Sequence, residues 1–317
     1  MKAFAINHYG ETPSLSDLPA PVPGPDEILV RVHAAGVNPV DWKVLDAVNR
    51  DESRTFPFVV GQDFAGVVER SERGNTGFSV GDRIFGVSRA HGAYAEYTTV
   101  PVAEKSQPIT RIPNELSDVQ AAALPTPGLT ALAGLDAIGV TSGTTVLIVG
   151  ASGAVGGFAV QMARARNAHV TGTASSRNHA AVESLGAHEV IDYDRVDTVA
   201  AVKAAHPDGI DAVLDLASSR DAIERIASVL KPGGRIASTI HAVDEGRMAD
   251  RSLRGMNIAM RASPSSSPEG LRQLASLVIS RTISVRVREE MPLSQAATAL
   301  QLSKEGKITG KIVLRIL

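Results

Sequence analysis

The chain has 317 residues, which is long for a single hydrophobic core and favours two domains. Its formal net charge is −2 and aromatic residues make up 4%, which argues against a nucleic-acid partner. The chain has no cysteine, which excludes disulfides, thiolate metal ligands and a cysteine nucleophile. The segment that begins at Met1 lacks the apolar run of a signal peptide, and no later run would span a bilayer. We therefore expect a cytoplasmic protein without a membrane partner.

The first third of the chain has short apolar runs separated by turns that contain glycine. After Pro25, Ile28, Val30 and Val32 alternate imperfectly with more polar residues, which indicates a strand. Frequent turns between short strands predict a small β barrel or sandwich in this region. Further strands are predicted at residues 64–68, 83–87 and 93–100.

The middle of the chain changes to strands that alternate with helices. Residues 146–149 are all apolar, as expected for a strand buried on both faces, and an amphipathic helix follows from Val155. This alternation predicts an α/β domain with a doubly wound parallel sheet. The tail from residue 283 contains two strands around a helix. The other strands of the sheet are predicted at residues 169–173, 190–192, 211–216, 235–239 and 256–261.

A glycine-rich turn joins the first buried strand to its helix, which is the context required of a dinucleotide-binding motif. Gly153 lets a pyrophosphate approach the backbone, and Gly156 lets the helix pack closely on the strand. The free N–H groups at the start of the helix attract the phosphates. The alternative is a glycine turn without a ligand, which the surrounding strand–helix units disfavour. Ala151 replaces the usual first glycine, and the predicted cofactor contacts are Ala151, Ser152, Gly153, Ala154 and Val155.

The end of the second strand of this sheet indicates which nicotinamide cofactor binds. NAD-binding domains place a carboxylate there for the ribose hydroxyls, but this position holds Ser175, Ser176 and Arg177. These hydroxyls and this cation suit a 2′-phosphate, and one charge-assisted hydrogen bond contributes about 1.5–3 kcal/mol. We therefore predict NADPH as the cofactor. The alternative is that Arg177 is an ordinary solvated side chain.

Six segments spread along nearly the whole chain have sequences typical of one enzyme superfamily. They are Gly36–Lys43, Gly61–Val68, Gly92–Tyr97, Ala121–Leu132, Ala151–Gly156 and Gly310–Leu314. They resemble the medium-chain dehydrogenase/reductase superfamily, most closely its zinc-free quinone oxidoreductase and enone reductase branch. The resemblance implies a GroES-like catalytic domain from residues 1–120 and 265–317, with a Rossmann domain at residues 121–264. It also implies hydride transfer from NADPH to a small quinone or enone. A homodimer formed through the last Rossmann strand, near residues 256–261, is a further expectation.

The same resemblance argues against a catalytic metal. Zinc alcohol dehydrogenases carry a cysteine ligand where Asn38 stands and a histidine ligand where Gln62 stands. The eight histidines are scattered along the sequence, without a histidine–carboxylate cluster of ligand spacing. We therefore expect no metal site.

Three residues are predicted to act at the substrate: Asn38, Asp41 and Gln62. Asn38 would orient the substrate carbonyl or the nicotinamide ribose by hydrogen bonding, and Asp41, with Lys43, would organise the loop or relay protons. Gln62 would face the cleft in place of a metal ligand. The alternative is that Asn38 and Pro39 form a turn, with Asp41 as its capping partner.

Four further residues are predicted to contact the cofactor. By resemblance, the segment of Thr126 and Thr130 approaches the nicotinamide, and Tyr193 meets the 2′-phosphate. His241 follows the fifth strand, on the carboxyl edge where Rossmann ligands bind. All four are also common residue types at helix and strand ends.

Two rival functions fit the same sequence. An enoyl-thioester reductase would share the fold and NADPH, and inhibition by acyl thioesters would distinguish it. A noncatalytic NADPH-binding sensor protein would bind NADPH and never oxidise it with any acceptor.

Overall fold

Short strands occupy the first third of the chain, and strands alternate with helices in its middle, as the sequence patterns predict. The structure, a computed structural model, describes residues 1–46, 51–71, 77–102, 107–306 and 308–317. It divides into two compact units. The first comprises Met1–Thr126, Ser267–Ile279 and Val285–Leu317, and the second comprises Pro127–Ser266 and Ser280–Ser284.

The N-terminal elements are mostly strands, with two short helices among them. The long strand β3 buries Ile28, Val30 and Val32 completely, which confirms the alternation seen in the sequence. Ser117 caps the second helix, because its hydroxyl accepts a hydrogen bond from the Gln120 N–H group. The elements are β1 (Lys2–Ile6), β2 (Ser14–Asp17), β3 (Glu27–Gly36), α1 (Pro39–Lys43), β4 (Phe58–Val59), β5 (Asp63–Ser71), β6 (Arg83–Val87), β7 (Tyr97–Pro101), β8 (Ile109–Arg111) and α2 (Asp118–Ala123).

The middle elements form one parallel sheet in the order β11-β10-β9-β12-β13-β14. Its topology confirms the predicted doubly wound sheet, with the strand order reversing between β9 and β12. The elements are α3 (Pro125–Ala137), β9 (Thr145–Val149), α4 (Ala154–Ala165), β10 (His169–Ala174), α5 (His179–Ser184), β11 (Glu189–Asp192), α6 (Thr198–Ala205), β12 (Ile210–Asp215), α7 (Arg220–Ile226), β13 (Leu230–Ser238), α8 (Glu245–Asp250) and β14 (Arg254–Asn257).

The last elements return to the first unit. They are α9 (Pro268–Ile279), β15 (Val287–Pro292), α10 (Ala296–Glu305) and β16 (Lys311–Arg315). β16 pairs antiparallel with β3, with Val313 opposite Gly36. The larger sheet of the first unit therefore runs β15-β16-β3-β5-β6-β8, with β7 also paired to β3, and a smaller sheet runs β2-β1-β4.

Each unit has its own hydrophobic core. The core of the first unit includes the fully buried side chains of Phe64 and Tyr94, and the core of the second unit includes those of Leu147 and Val213. Burial of such side chains contributes about 1.5–3 kcal/mol each. Within the described residues, none of the helices combines the length and the apolar character that a membrane span requires.

The first unit extends to Thr126, beyond the predicted boundary at residue 120, and resumes at Ser267. The reason is that α2 packs tightly on β3: a Cβ atom on Gly36 would lie 2.2 Å from the Ala122 carbonyl oxygen. Thr126 then bonds to Asp63 on β5 through its backbone N–H group and its hydroxyl. The second unit also takes Ser280–Ser284 from the tail.

The sixth Rossmann strand lies earlier than predicted. β14 spans Arg254–Asn257, whereas this strand was predicted at residues 256–261. Asn257 pairs with Ser238, the last residue of β13, so the ladder has no partner strand beyond this point. A short 3-10 turn, Met260–Ala262, follows.

Candidate functional site

The glycine turn lies at the carboxyl end of β9, the strand beside the reversal of the sheet. Gly150 has a φ of +82°, a conformation that L side chains rarely adopt. Its N–H group donates to the Thr173 hydroxyl on β10, and the Ala151 N–H group donates to the Thr173 carbonyl oxygen. The turn is therefore held against the neighbouring strand before the chain enters α4.

Two glycines of this turn are glycine for different reasons. A Cβ atom on Gly156 would lie 2.2 Å from the Gly150 carbonyl oxygen, so helix packing requires glycine there. A Cβ atom on Gly153 would meet only that same oxygen, at an ordinary 3.5 Å. Gly153 is the N-cap of α4 and offers no side chain to the free N–H groups of the first turn. The open space beside these groups fits a pyrophosphate.

The end of β10 carries the predicted 2′-phosphate residues. Ser175 is buried, whereas Ser176 and Arg177 are exposed. The Ser176 hydroxyl donates to Asp192, the last residue of β11, and this bond holds the pKa of the Asp192 carboxyl below its usual range. A carboxylate thus lies beside the hydroxyls, although none follows β10 itself, and it weakens the electrostatic attraction for a phosphate there.

Two other predicted residues of the second unit, Tyr193 and His241, follow strands of the sheet at their carboxyl ends, and a third, Thr130, lies in a helix. Tyr193 follows β11 and is 54% exposed, and His241 lies in the loop after β13 with a φ of +59°. Thr130 is buried within α3. The loop of His241 is organised by Ser238, whose hydroxyl donates to Asp215 and accepts from the Ala242 N–H group.

A second set of polar residues lies inside the first unit, around the turn from β3 into α1. The Asn38 side-chain amide donates to Asp63 Oδ2 at 2.9 Å and to the Gly36 carbonyl oxygen at 3.3 Å. Its oxygen accepts from Lys311 Nζ at 2.6 Å. Asp41 Oδ2 accepts from the Asn38 backbone N–H group and from the Tyr94 hydroxyl. We name Asn38, Asp41, Asp63, Tyr94 and Lys311 the buried polar network.

All five members of the buried polar network are at most 3% exposed, and burial shifts the pKa of its four titratable members. Burial raises the pKa of Asp41 to about 7, against hydrogen bonds from Asn38 and Tyr94 that lower it. Burial also raises the pKa of Asp63, although Lys311 Nζ lies 3.9 Å away and lowers it. The pKa of Lys311 is lowered by the same burial. Lys311 faces two carboxyl groups, so its positive charge is balanced by Asp63 alone when Asp41 is protonated.

The structure joins Asn38 and Asp41 by a hydrogen bond, whereas Gln62 contacts His91. Gln62 is buried, and its Nε2 atom lies 3.1 Å from His91 Nε2. Both amide hydrogens of Asn38 are already used within the protein, so none remains to donate to a substrate carbonyl. This geometry favours the interpretation of Asn38 and Asp41 as a capped turn.

Sequence reasoning missed Asp63, Tyr94 and Lys311. Each lies inside a segment that the resemblance singled out, and each is a polar residue in an otherwise apolar strand or loop. A charged residue at a buried strand position is the signal that would have identified Asp63 and Lys311, because such residues are rarely buried without a partner.

The interpretation of the histidines as scattered is wrong in three dimensions. Donor atoms of His169, Glu189 and His206 lie within 4.8 Å of one another. His169 and Glu189 begin adjacent strands, β10 and β11, and His206 follows α6. The parallel sheet aligns residues that are far apart in the sequence, which ligand-spacing motifs do not capture.

Two family models match the chain. Residues 24–113 match an alcohol dehydrogenase GroES-like domain, and residues 185–314 match a zinc-binding dehydrogenase. Together with the doubly wound sheet and its glycine turn, these matches define a two-domain dehydrogenase of the medium-chain type. They confirm the predicted fold class, a GroES-like β-rich domain and a Rossmann sheet.

The relatives place the chain more narrowly. It is 33% identical to the chloroplast envelope quinone oxidoreductase homolog of Arabidopsis thaliana, over 99% of this chain and 98% of that protein. The solved quinone oxidoreductase of Coxiella burnetii superposes with a TM-score of 0.88 at 31% identity, covering 100% of this chain and 99% of that one. The Escherichia coli quinone oxidoreductase, solved in complex with NADPH, gives 0.88 at 25% identity and covers 99% of each chain. The chain therefore belongs to the quinone oxidoreductase branch of the medium-chain dehydrogenase/reductase superfamily.

Proposed function

We propose that the protein is an NADPH-dependent, zinc-independent oxidoreductase that transfers a hydride to a quinone or an α,β-unsaturated ketone. The observation that carries the proposal is the space beside Gly153, where the protein itself leaves room for a side chain that the residue lacks. Packing does not require glycine at this N-cap, whereas an approaching pyrophosphate does. Membership of the quinone oxidoreductase branch and the NADPH complex of a solved relative support the same cofactor.

The cofactor would be held by the carboxyl edge of the second unit's sheet. The glycine turn would bind the pyrophosphate through backbone N–H groups, and Ser175, Ser176 and Arg177 would bind the 2′-phosphate. Tyr193 would lie at the adenosine end, and Thr126, Thr130 and His241 at the nicotinamide end. When bound, NADPH supplies the hydride.

The residues at the two expected ligand positions support the proposal of zinc independence. Asn38 and Gln62 are carboxamides, which are poor zinc ligands, and the Asn38 amide is committed to Gly36, Asp63 and Lys311. Without a Lewis acid, the substrate itself must spread the charge that develops on its oxygen. Conjugated carbonyl compounds do this better than simple ketones, which favours quinones and enones as substrates.

We assign Asn38 and Asp41 a positioning role. Their hydrogen bonds hold the loop after β3, and the resemblance places the substrate beside this loop. Gln62 keeps its proposed place at the substrate, on the adjoining loop before β5.

The test is a turnover assay with chelator-treated protein, NADPH or NADH, and a panel of quinones, enones, simple aldehydes and an acyl thioester. We expect NADPH oxidation with quinones or enones and little with aldehydes. Turnover confined to the thioester would indicate an enoyl-thioester reductase. NADPH binding without turnover of any acceptor would indicate a sensor.

Two variants of α4 provide the matched control. Gly153→Val keeps an extended backbone that any residue adopts, yet fills the space where the pyrophosphate would lie. Gly157→Ala adds a methyl group that meets only the Leu185 side chain, at 3.4 Å. We expect the Gly153→Val variant to fold but to bind NADPH at least about tenfold more weakly than the wild type. The Gly157→Ala variant should bind NADPH with unchanged affinity. Equal binding in both variants would refute the assignment of the turn.

We also propose that the protein is a cytoplasmic homodimer, joined through β14. This strand pairs only with β13 among the described strands, so one of its edges presents backbone groups that another strand can pair with. Light scattering of the purified protein tests the dimer, and Met256→Pro on β14 should shift it to a monomer.

A further inference from the structure

A cluster of imidazole and carboxylate groups lies at the amino edge of the second unit's sheet. His169 Nε2 lies 3.2 Å from Glu189 Oε1, and His206 Nε2 lies 3.5 Å from Glu189 Oε2. His169 and Glu189 are the first residues of β10 and β11, whereas Ser175 and Asp192 mark the carboxyl ends. Because β10 spans about 16 Å, the cluster lies well away from the proposed cofactor residues.

The three groups are held in place by neighbours. The Thr171 hydroxyl donates to Glu189 Oε2 at 3.2 Å, and the His188 ring stacks on the His169 ring with centroids 4.4 Å apart. The His188 ring is itself fixed, because its Nδ1 atom accepts the Val170 N–H group. Supporting contacts of this kind orient metal ligands in proteins.

His206 Nε2 is a buried nitrogen for which the structure provides no hydrogen-bond partner, although it faces the Glu189 carboxylate. A buried imidazole nitrogen without a partner costs free energy, so this atom is well suited to donate its lone pair to a metal.

The spacing of the donor atoms matches a tetrahedral metal. Zinc binds imidazole nitrogen and carboxylate oxygen at about 2.0–2.2 Å, so neighbouring ligands of a tetrahedral site lie about 3.3–3.5 Å apart. The two nitrogen–oxygen distances, 3.2 Å to Glu189 Oε1 and 3.5 Å to Glu189 Oε2, are close to this value, and one donor atom from each of the three residues lies within 4.8 Å of the others. Two imidazoles and one carboxylate are typical zinc ligands, and they leave one position for water.

We propose that His169, Glu189 and His206 form a binding site for a divalent transition-metal cation of the zinc type. The bound cation joins the starts of β10 and β11 to the end of α6. Its function is to stabilise this edge of the sheet, independently of catalysis at the opposite edge.

The test uses Zn²⁺ alone as the probe, titrated calorimetrically into tag-free, chelator-treated full-length protein. We expect saturable binding of one Zn²⁺ per chain and no binding of Mg²⁺, which prefers oxygen ligands. His206→Gln should weaken Zn²⁺ binding more than about 100-fold, and Thr171→Val about tenfold, as for a supporting residue. The matched control is His8→Gln, which removes an exposed histidine of the first unit and should leave binding unchanged.

Two further measurements separate this site from the proposed function. Zn²⁺ should raise the Tm of the wild type and of the His8 variant but not of His206→Gln, while circular dichroism shows that all three are folded. Turnover with saturating NADPH should be equal in the wild type and His206→Gln. Absence of saturable Zn²⁺ binding in the wild type, or equal affinity in His206→Gln, would overturn the proposal whatever the turnover assay shows.

Discussion

This protein has two polar regions, the buried polar network of the first unit and the glycine turn of the second. They differ in how their polar groups find partners. In the network, charged side chains satisfy one another inside the protein, and Lys311 contacts Asn38, Val37 and Asp63. At the turn, backbone N–H groups face open space and a glycine leaves room beside them. Apart from Asp41 Oδ1, which has no hydrogen-bond partner, the polar side-chain atoms of the first region are satisfied within the protein, whereas the first turn of α4 in the second region has no side-chain cap. Mutations should therefore affect mainly stability in the first region and mainly binding in the second.

The largest effect is expected from Lys311→Met. It removes the single cation of the network and leaves the buried carboxylate of Asp63 without an opposite charge. We expect a loss of about 3–5 kcal/mol in the free energy of unfolding, measured by urea denaturation. Lys2→Met is the matched control, because the Lys2–Asp17 ion pair is exposed and contributes about 0–1 kcal/mol. Equal losses in the two variants would contradict the role of the network.

The next effect concerns the pH dependence of stability. The pKa of Asp41 rises from 3.8 to about 7 on folding, so the folded state binds a proton that the unfolded state has released. Stability from this group is therefore present below pH 4 and is lost as the pH rises to about 7, by up to about 4 kcal/mol. Asp41→Asn keeps a neutral side chain at this position at every pH, so its stability should fall less between pH 5 and pH 8. Urea denaturation at the two pH values measures the free energy of unfolding. An equal fall in the wild type and the variant would refute the prediction.

Within the glycine turn, Gly156→Ala should affect stability and Gly153→Ala should not. The new methyl group at Gly156 would overlap the Gly150 carbonyl oxygen, and we expect overpacking to cost about 1–3 kcal/mol. The methyl group at Gly153 has room and should leave the Tm nearly unchanged while weakening NADPH binding. Thermal denaturation and NADPH titration of both variants provide the comparison. The reverse pattern would mean that the two glycines are assigned the wrong way round.

The smallest effects should separate the two charges near the end of β10. Asp192→Asn removes the carboxylate beside Ser176 and should raise the preference for NADPH over NADH about tenfold. Arg177→Ala removes the proposed phosphate partner and should lower that preference about 10–100-fold. The ratio of kcat/KM for the two cofactors measures both changes. A shift in the same direction for both variants would show that at least one of these side chains lies away from the 2′-phosphate.

The sequence predicted those features that a short segment determines. A buried apolar run, glycines and an amphipathic helix in succession located the β9–α4 turn, and the residues after β10 are the basis of the proposed phosphate site. Contacts between distant segments of the chain could not be predicted from the sequence. Lys311 meets Val37 across 274 positions of the chain, and Asp192 reaches Ser176 from a different strand. The cluster of His169, Glu189 and His206 exists only because strands align in a sheet.

The position of Lys311 also has a consequence for how the chain is made. The network around Asn38 is completed by strand β16, so the network lacks its only cation until Lys311 has been translated. Nearly all of the second unit, Pro127–Ser266, is translated earlier. We expect the middle of the nascent chain to become protease-resistant before its beginning does. Pulse proteolysis of ribosome-stalled chains that end at Glu305 tests this order. In this order, the segment that is translated first is the last to become stably folded.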